Sequence, residues 1–477
     1  MIACKWARRV IFSTVLTGVP AGPALAEGFY CPAAQHWHLP APPFERFELN
    51  NGLRVVVVPT QRSATLATLL MVRVGARDEP AGETGYAHLF EHLMFKGTSS
   101  LSDGGYFSAI DSVGGRANAD TDFDRTEFYS ETPRGSLARV LYLEGDRLKH
   151  LALTRTKIRN QVQAVLEEKR LRVENVPYVP AVVQFMMQVW KDTPYNHSII
   201  GSQSDLRAAK VAALQDFFTT YYRPENMLLA VVGPVTAARV RALGAKYLGG
   251  IARGKAPVRR PFAFQAQALR ASIEDTRAPF PLYAFVWQAS ATQRRQRAAL
   301  ELLGDVLSGN DAARLPDILK NQLGLAHVVL GIPFHLHSVY LLGAGVVPRG
   351  FAGIAEIRKI VDREVARVRE KTVTDAELCR AEKMRYRDLL TRFDSNLGMA
   401  RSLAEGILYE DDALRDLHLL EAMFRVRPED LRAAARKHLT QRRLELQVQP
   451  KWSIRAAKRV LEWLPKPVSE WLEGLAM

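Results

Sequence analysis

Residues 86–98 read YAHLFEHLMFKGT. Within them His88, Glu91 and His92 form an H-x-x-E-H pattern, the inverted order of a zinc motif. On a helix, positions i and i+4 share a face, so both imidazoles reach one metal ion. Glu91 points to the same side as His88. It can act there as general base for the attacking water without being a ligand. Phe90, Leu93, Met94 and Phe95 make this stretch apolar on several sides. The helix is therefore predicted to be buried, and buried His and Glu need partners. Two surface histidines on an ordinary amphipathic helix fit that surround poorly.

A catalytic zinc needs a third protein ligand and an open position. Downstream, the helical stretch NQVQAVLEEKRLRVENVP (160–177) offers Glu167, Glu168 and Glu174. Glu168 shares a face with Gln161, Val165 and Leu171, the side a core-facing helix buries. A carboxylate there is costly unless it is paired or binds a metal. Glu174 suits a solvated face, and Glu167 stays open beside Glu168.

Outward from these stretches the chain alternates strands and helices. FERFELNNGLRVVVVPT (44–60) reads as a β-hairpin about Asn51-Gly52. Strands are expected at 67–74, 118–130 and 228–232, and helices at 85–95, 107–114, 136–150 and 155–173. Residues 252–262 (ARGKAPVRRPF, from Ala252) are basic, contain proline and lack apolar periodicity, so they read as a linker. The second half repeats the order. It has a strand at 281–287, a helix at 292–307, a hairpin-like stretch at 325–346, helices at 352–370, 374–392 and 395–408, and a strand at 444–449. The matching order implies two similar α+β domains.

With 477 residues the chain is too long for one ordinary core. Apolar residues make up 47% and charged residues 24%, which excludes a mostly disordered chain, a collagen and a polytopic membrane protein. The net charge of +15 is spread along the chain and is poor evidence for nucleic-acid binding. The start, MIACKWARRVIFSTVLTGVPAGPALA, has a basic n-region, a short apolar run and an A-x-A site at Ala24-Leu25-Ala26. This is the layout of a secretory signal peptide, which places the mature chain in a periplasm. Cys31 and Cys379 would remain. They could pair, but Cys379 lies in an apparent helix and reads more simply as a buried small residue.

Beyond the zinc motif, GARDEPAGETGYAHLFEHLMFKGT (75–98), GGRANADTDFDRTEFY (114–129), PYNHSIIGSQSDL (194–206) and YYRPENMLLAVVG (221–233) closely resemble the signatures of the pitrilysin/insulinase family of metallopeptidases. The resemblance runs over about 45–450 and is nearest to mitochondrial-processing-type and small bacterial members. It implies two similar domains, each a mostly antiparallel sheet packed with helices, facing each other across a chamber. It makes His88, His92 and Glu168 the ligands of Zn2+ and Glu91 the catalytic base. Gln161 takes a position behind the ligands where many members have Glu. Asn118 and Ala119 fall on the strand that pairs with a peptide substrate's backbone, a mode suited to broad specificity. The resulting division is a signal peptide at 1–26, an extension at 27–44, a zinc-bearing peptidase domain at 45–251, the linker, a second family domain at 263–450 and a tail at 451–477.

One departure matters. Active members carry an Arg and a Tyr, seven apart, in a second-half domain, where they stabilise the tetrahedral intermediate. Here KNQLGLAH puts Lys320 and His327 at those positions. Lys lacks the planar fork of Arg, while His still donates one hydrogen bond. The expectation is a zinc endopeptidase for unstructured peptides, the zinc-bearing member of a hetero-oligomer whose homologous subunit brings the Arg/Tyr pair, or a homodimer. The alternative is an assembly subunit that keeps the fold without turnover. A small variation, Gly233-Pro234 where the family has Gly-Asp, reads as a loop variant. His36/His38 and His335/His337 read as solvated strand faces, since neither pair has a third ligand in view. The basic, Trp-bearing tail reads as packing on the chain's own body, with contact to a membrane surface or a partner as the alternative.

Overall fold

The computed structural model describes residues 39–451, apart from 260–264, 292, 333, 337–338 and 350–352. The expected signal peptide, Cys31, the His36/His38 pair and the tail beyond 451 lie outside the described residues, as do the side chains of the His335/His337 pair. No described helix is long and apolar enough to cross a membrane.

The first half holds β1 (Glu45–Glu48), β2 (Arg54–Pro59), β3 (Thr65–Val72), α1 (Tyr86–Leu93), α2 (Gly105–Asp111), β4 (Arg116–Thr121), β5 (Thr126–Pro133), α3 (Leu137–His150), α4 (Arg155–Lys169), α5 (Val179–Val189), α6 (Gln203–Ala208), α7 (Val211–Tyr221), β6 (Met227–Gly233) and α8 (Ala237–Tyr247). The second holds β7 (Leu269–Asp275), β8 (Leu282–Ala289), α9 (Arg294–Ser308), β9 (Ala326–Gly331), β10 (Phe334–Leu336), β11 (Val339–Pro348), α10 (Ile354–Glu370), α11 (Asp375–Asp394), α12 (Asn396–Glu410), α13 (Arg415–Met423), α14 (Pro428–His438) and β12 (Leu444–Pro450).

The expected repeat is present in the strand order. The first sheet runs β1-β2-β6-β3-β5-β4, and the second contains β7-β12-β8-β11 with β9 beside β11. The path β2-β6-β3-β5-β4 therefore recurs as β7-β12-β8-β11-β9. In both sheets only the first pair of that path is parallel, β2 with β6 and β7 with β12. The antiparallel remainder includes β3–β5 and β8–β11.

The halves exchange helices. Val56, Val58, Leu69, Met71, Leu228, Ala230 and Val232 face one way from the first sheet and pack with Ala400, Leu403, Ala404 and Ile407 of α12. The alternate residues Val55, Val57, Leu70, Val72, Leu229 and Val231 face the other way, with Leu89, Phe90 and Leu93 of α1. Reciprocally, Ala181, Phe185 and Val189 of α5 pack on Leu282, Val286, Leu444, Leu446 and Val448 of the second sheet. Both faces of each sheet are thus covered, which explains the near-continuous apolar runs VVVV and LLAVV. Polar ties cross the same seams. Glu127 of β5 is fully buried against Arg401 of α12, and the backbone N–H of Tyr178 donates to Asp275 at 2.6 Å.

Three details differ from the sequence reading. The strand expected over 118–130 is a hairpin, β4 and β5, turning at Asp122–Arg125, where Arg125 C=O accepts from Asp122 N–H at 2.8 Å. The helix expected over 155–173 keeps α-geometry to Lys169 and then widens into a π-turn over Arg170–Glu174. Cys379 is buried on α11, as the simple reading required, but it is disulfide-bonded rather than a plain thiol. The linker is pinned as well, because Arg259 reaches Asp78 at 2.6 Å.

Candidate metal centre

The helix α1 that carries the H-x-x-E-H pattern is short, and outside groups fix its start. Gly85 precedes it with φ of 95°, a conformation that favours glycine. The carboxylate of Glu79 accepts from the backbone N–H of Gly85 at 2.6 Å and of Ala87 at 2.8 Å. Those are N-terminal donors that the helix itself leaves unpaired. Burial raises the Glu79 carboxyl well above its usual range, and the two N–H groups offset part of that rise. Thr84 donates to Asp205 at 2.6 Å, and Lys169 of α4 donates to the carbonyl of Gly201 at 2.9 Å. The 194–206 segment is therefore a brace for α1.

His88, His92 and Glu168 offer one donor atom each, all within 4.8 Å of one another. Glu168 Oε2 lies 3.2 Å from His92 Nε2 and 3.7 Å from His88 Nε2. Donors about 2.0–2.2 Å from a tetrahedral zinc stand roughly 3.3 Å apart, so these distances fit that ion. The donor set, two imidazoles and a carboxylate, is a catalytic zinc set. His88 is almost fully buried and its Nδ1 finds no hydrogen-bond partner among the described residues. Burial, with His92 adding to it, lowers its pKa to about 3, so the ring is neutral and its lone pair is free for a metal. Burial alone would raise Glu168, but the His92 hydrogen bond and Arg172 outweigh it and hold the carboxyl below its usual range. Arg172 Nη1 sits 2.9 Å from Glu168 Oε1, leaving Oε2 turned toward the imidazoles. His92 keeps partial exposure, which opens the centre on that side.

Glu91 is buried beside the set. Thr121 Oγ1 at the end of β4 donates to Glu91 Oε2 at 2.6 Å. Burial raises the carboxyl to about 7, a rise that the Thr121 bond reduces and that Asp120 adds to. A base poised near neutrality suits proton transfer at that pH.

Glu167, left open by the sequence, is exposed and paired with Arg170 at 2.6 Å, so of the two it is Glu168 that joins the imidazoles. Glu174 is exposed, as read. Gln161 is buried on α4, two turns before Glu168. Asn118 and Ala119 lie on β4, which ends the first sheet, with Asn118 exposed and Ala119 buried. Lys320 and His327 engage their own half. Lys320 is 3.2 Å from Asp311, and the His327 ring packs against Phe280. Sequence reasoning missed Thr121, Arg172 and Glu79. Thr121 stood two residues past Ala119 and Arg172 one turn past Glu168, but neither spacing marks a role by itself.

An inverted zinc motif completed by a glutamate from a second helix, on the first of two repeated α+β units, defines the architecture of a zinc metallopeptidase. Comparison with known proteins agrees. The model described as Insulinase (Peptidase family M16) matches residues 54–203, and the one described as Peptidase M16 inactive domain matches 209–384. Together these take in more than half the chain, and the chain belongs to the insulinase (M16) peptidase family. The zinc protease PqqE of Helicobacter pylori is 26% identical over 386 residues, covering 80% of this chain and 86% of that protein. The crystal structure of a protease from Helicobacter pylori superposes with a TM-score of 0.80 at 23% identity, over 86% of this chain and all of the other. The periplasmic protease PqqL of Escherichia coli gives 0.72 at 18% identity, over 90% of this chain and 50% of the other. In the second half the helix after β8 is α9, whose buried face is mostly apolar, with Ala298, Leu302, Leu303 and Val306. No second cluster of metal-binding groups occurs among the described residues.

Proposed function

We propose that the chain is a zinc-dependent endopeptidase that hydrolyses unstructured peptides outside the cytoplasm. The observation that carries this reading is the convergence of His88, His92 and Glu168 on one point with Glu91 held beside them. Bound zinc would lower the pKa of its water to about 7 and polarise the scissile carbonyl. Glu91 takes the proton of the attacking water and passes it to the leaving amine. A peptide docks as an added strand on the outer edge of β4, at Asn118 and Ala119. The extracytoplasmic location rests on the signal-like N-terminus and on the periplasmic protease among the structural neighbours.

We further propose that this chain is the zinc-bearing subunit of a hetero-oligomer. Lys320 and His327 stand where an Arg/Tyr pair is expected, and Lys320 is already engaged by Asp311. A homologous subunit would supply the missing donors. The second reading, an assembly subunit without turnover, rests on the same two residues. The deciding experiment is cleavage of a labelled unstructured peptide by the mature chain, with and without chelator. Chelator-sensitive turnover that Glu91→Gln abolishes supports the peptidase. No turnover with zinc bound, alone or with a homologous partner, supports the assembly role.

A further inference from the structure

We propose that Thr121 is the positioning residue for the base, fixing the Glu91 carboxylate through its hydroxyl. The proposal rests on the peptidase reading of the same site. Thr121 is 1% exposed, and its Oγ1 donates to Glu91 Oε2 at 2.6 Å. That bond occupies one carboxylate oxygen and sets the plane of the group, leaving Oε1 to meet water and the leaving amine.

The strand that bears Thr121 is itself anchored. Asp120 lies 3.7 Å from the guanidinium of Arg125, which also contacts Glu127 at 3.0 Å and Glu405 of α12 at 3.2 Å. Glu127 sits opposite Asp120 in the β4–β5 register. The end of β4 is thus tied to a helix of the second half, which holds the strand that carries Thr121 in place. Thr121 is also two residues from Ala119 on the same face of the strand. One strand therefore sets both the register of a docked peptide and the place of the base. This gives the second half, whose described residues hold no metal set, a part in the chemistry of the first.

The test uses the zinc-loaded mature chain with Thr121→Val and Thr121→Ser, each also made in a Glu91→Gln background. Loss of a hydrogen bond to a charged group predicts a kcat lower by about tenfold or more for Thr121→Val. KM and zinc stoichiometry stay within about twofold, Thr121→Ser retains most of the rate, and Thr121→Val adds nothing in the Glu91→Gln background. An unchanged kcat overturns the proposal, as does an equal loss in the Ser variant or zinc loss in step with the rate. If no peptide is cleaved by the unsubstituted chain, alone or with a homologous partner, the peptidase reading fails on its own. The visible spectrum of the Co2+-loaded chain then decides the role of Thr121. A band shift from Thr121→Val that vanishes in the Glu91→Gln background upholds it, and identical spectra overturn it.

Discussion

Glu91 and His88 sit a turn apart and are pushed in opposite directions by the same burial. For Glu91, burial favours the protonated acid and lifts the carboxyl from 4.5 to about 7. Between those values the folded chain holds more protons than the unfolded one, so stability is full below about pH 4.5 and falls as pH rises through 7. Glu91→Gln removes this penalty while an amide oxygen still accepts from Thr121. The metal-free variant should therefore melt higher than the parent at pH 8 and no higher at pH 4. With zinc bound, the same substitution should cut kcat by roughly 10²–10⁴ with zinc content unchanged. For His88, burial favours the neutral ring and lowers its pKa from 6.5 to about 3. There the unfolded chain holds more protons, so stability is full above about pH 6.5 and is lost as pH falls through 3. The melting temperature of chelated protein should drop over that window, and His88→Leu should flatten the drop. If the variant and the parent keep the same slope, His88 is not the neutral buried ring described here.

At the scale of elements, α1 has eight residues, too few to be stable alone, so its place depends on its braces. A Cβ on Gly85 would meet Ile200 O at 2.8 Å and Gly201 Cα at 3.0 Å, at a φ of 95° that side chains resist. Gly85→Ala should cost about 1–3 kcal/mol of stability and weaken zinc binding, read by melting and by competition with a chelating dye. The π-turn after α4 has a comparable role, since it carries the Arg172 that contacts Glu168 Oε1. Arg172→Leu should lower zinc affinity by about tenfold, with the fold intact, because orienting partners of ligands contribute on that order. The helix α1 was legible because its motif and apolar neighbours coincide in one stretch. The β4–β5 turn was not, because Asp122 to Arg125 contains neither Gly nor Pro and the strand pattern runs through it. The π-turn was equally hidden, since its residues have helical propensity and only the bond pattern differs. Thr121 could be placed on a strand, but which side chain it meets is decided by α1 lying against β4, a tertiary fact.

Across the whole molecule, the repeat was legible as an order of elements, while the exchange of α5 and α12 was not. Amphipathic spacing says that a helix buries one face, but it does not say which sheet receives that face. The exchange makes a firm prediction about independence of the halves. Cut at the linker, the first half would expose Val56, Val58, Leu69, Met71, Leu228 and Val232, which α12 now covers. At about 1.5–3 kcal/mol per buried side chain, this loses on the order of 10 kcal/mol, comparable to the whole stability of a typical domain. It would also part Glu127 from Arg401. Residues 27–258 expressed alone should therefore aggregate, or bind a hydrophobic dye, and fail to hold zinc. Co-expressed with 259–477, they should assemble into a soluble complex that holds one zinc. A soluble first half that melts cooperatively and keeps its metal would refute the shared core, and with it the clamp that the second half places on β4.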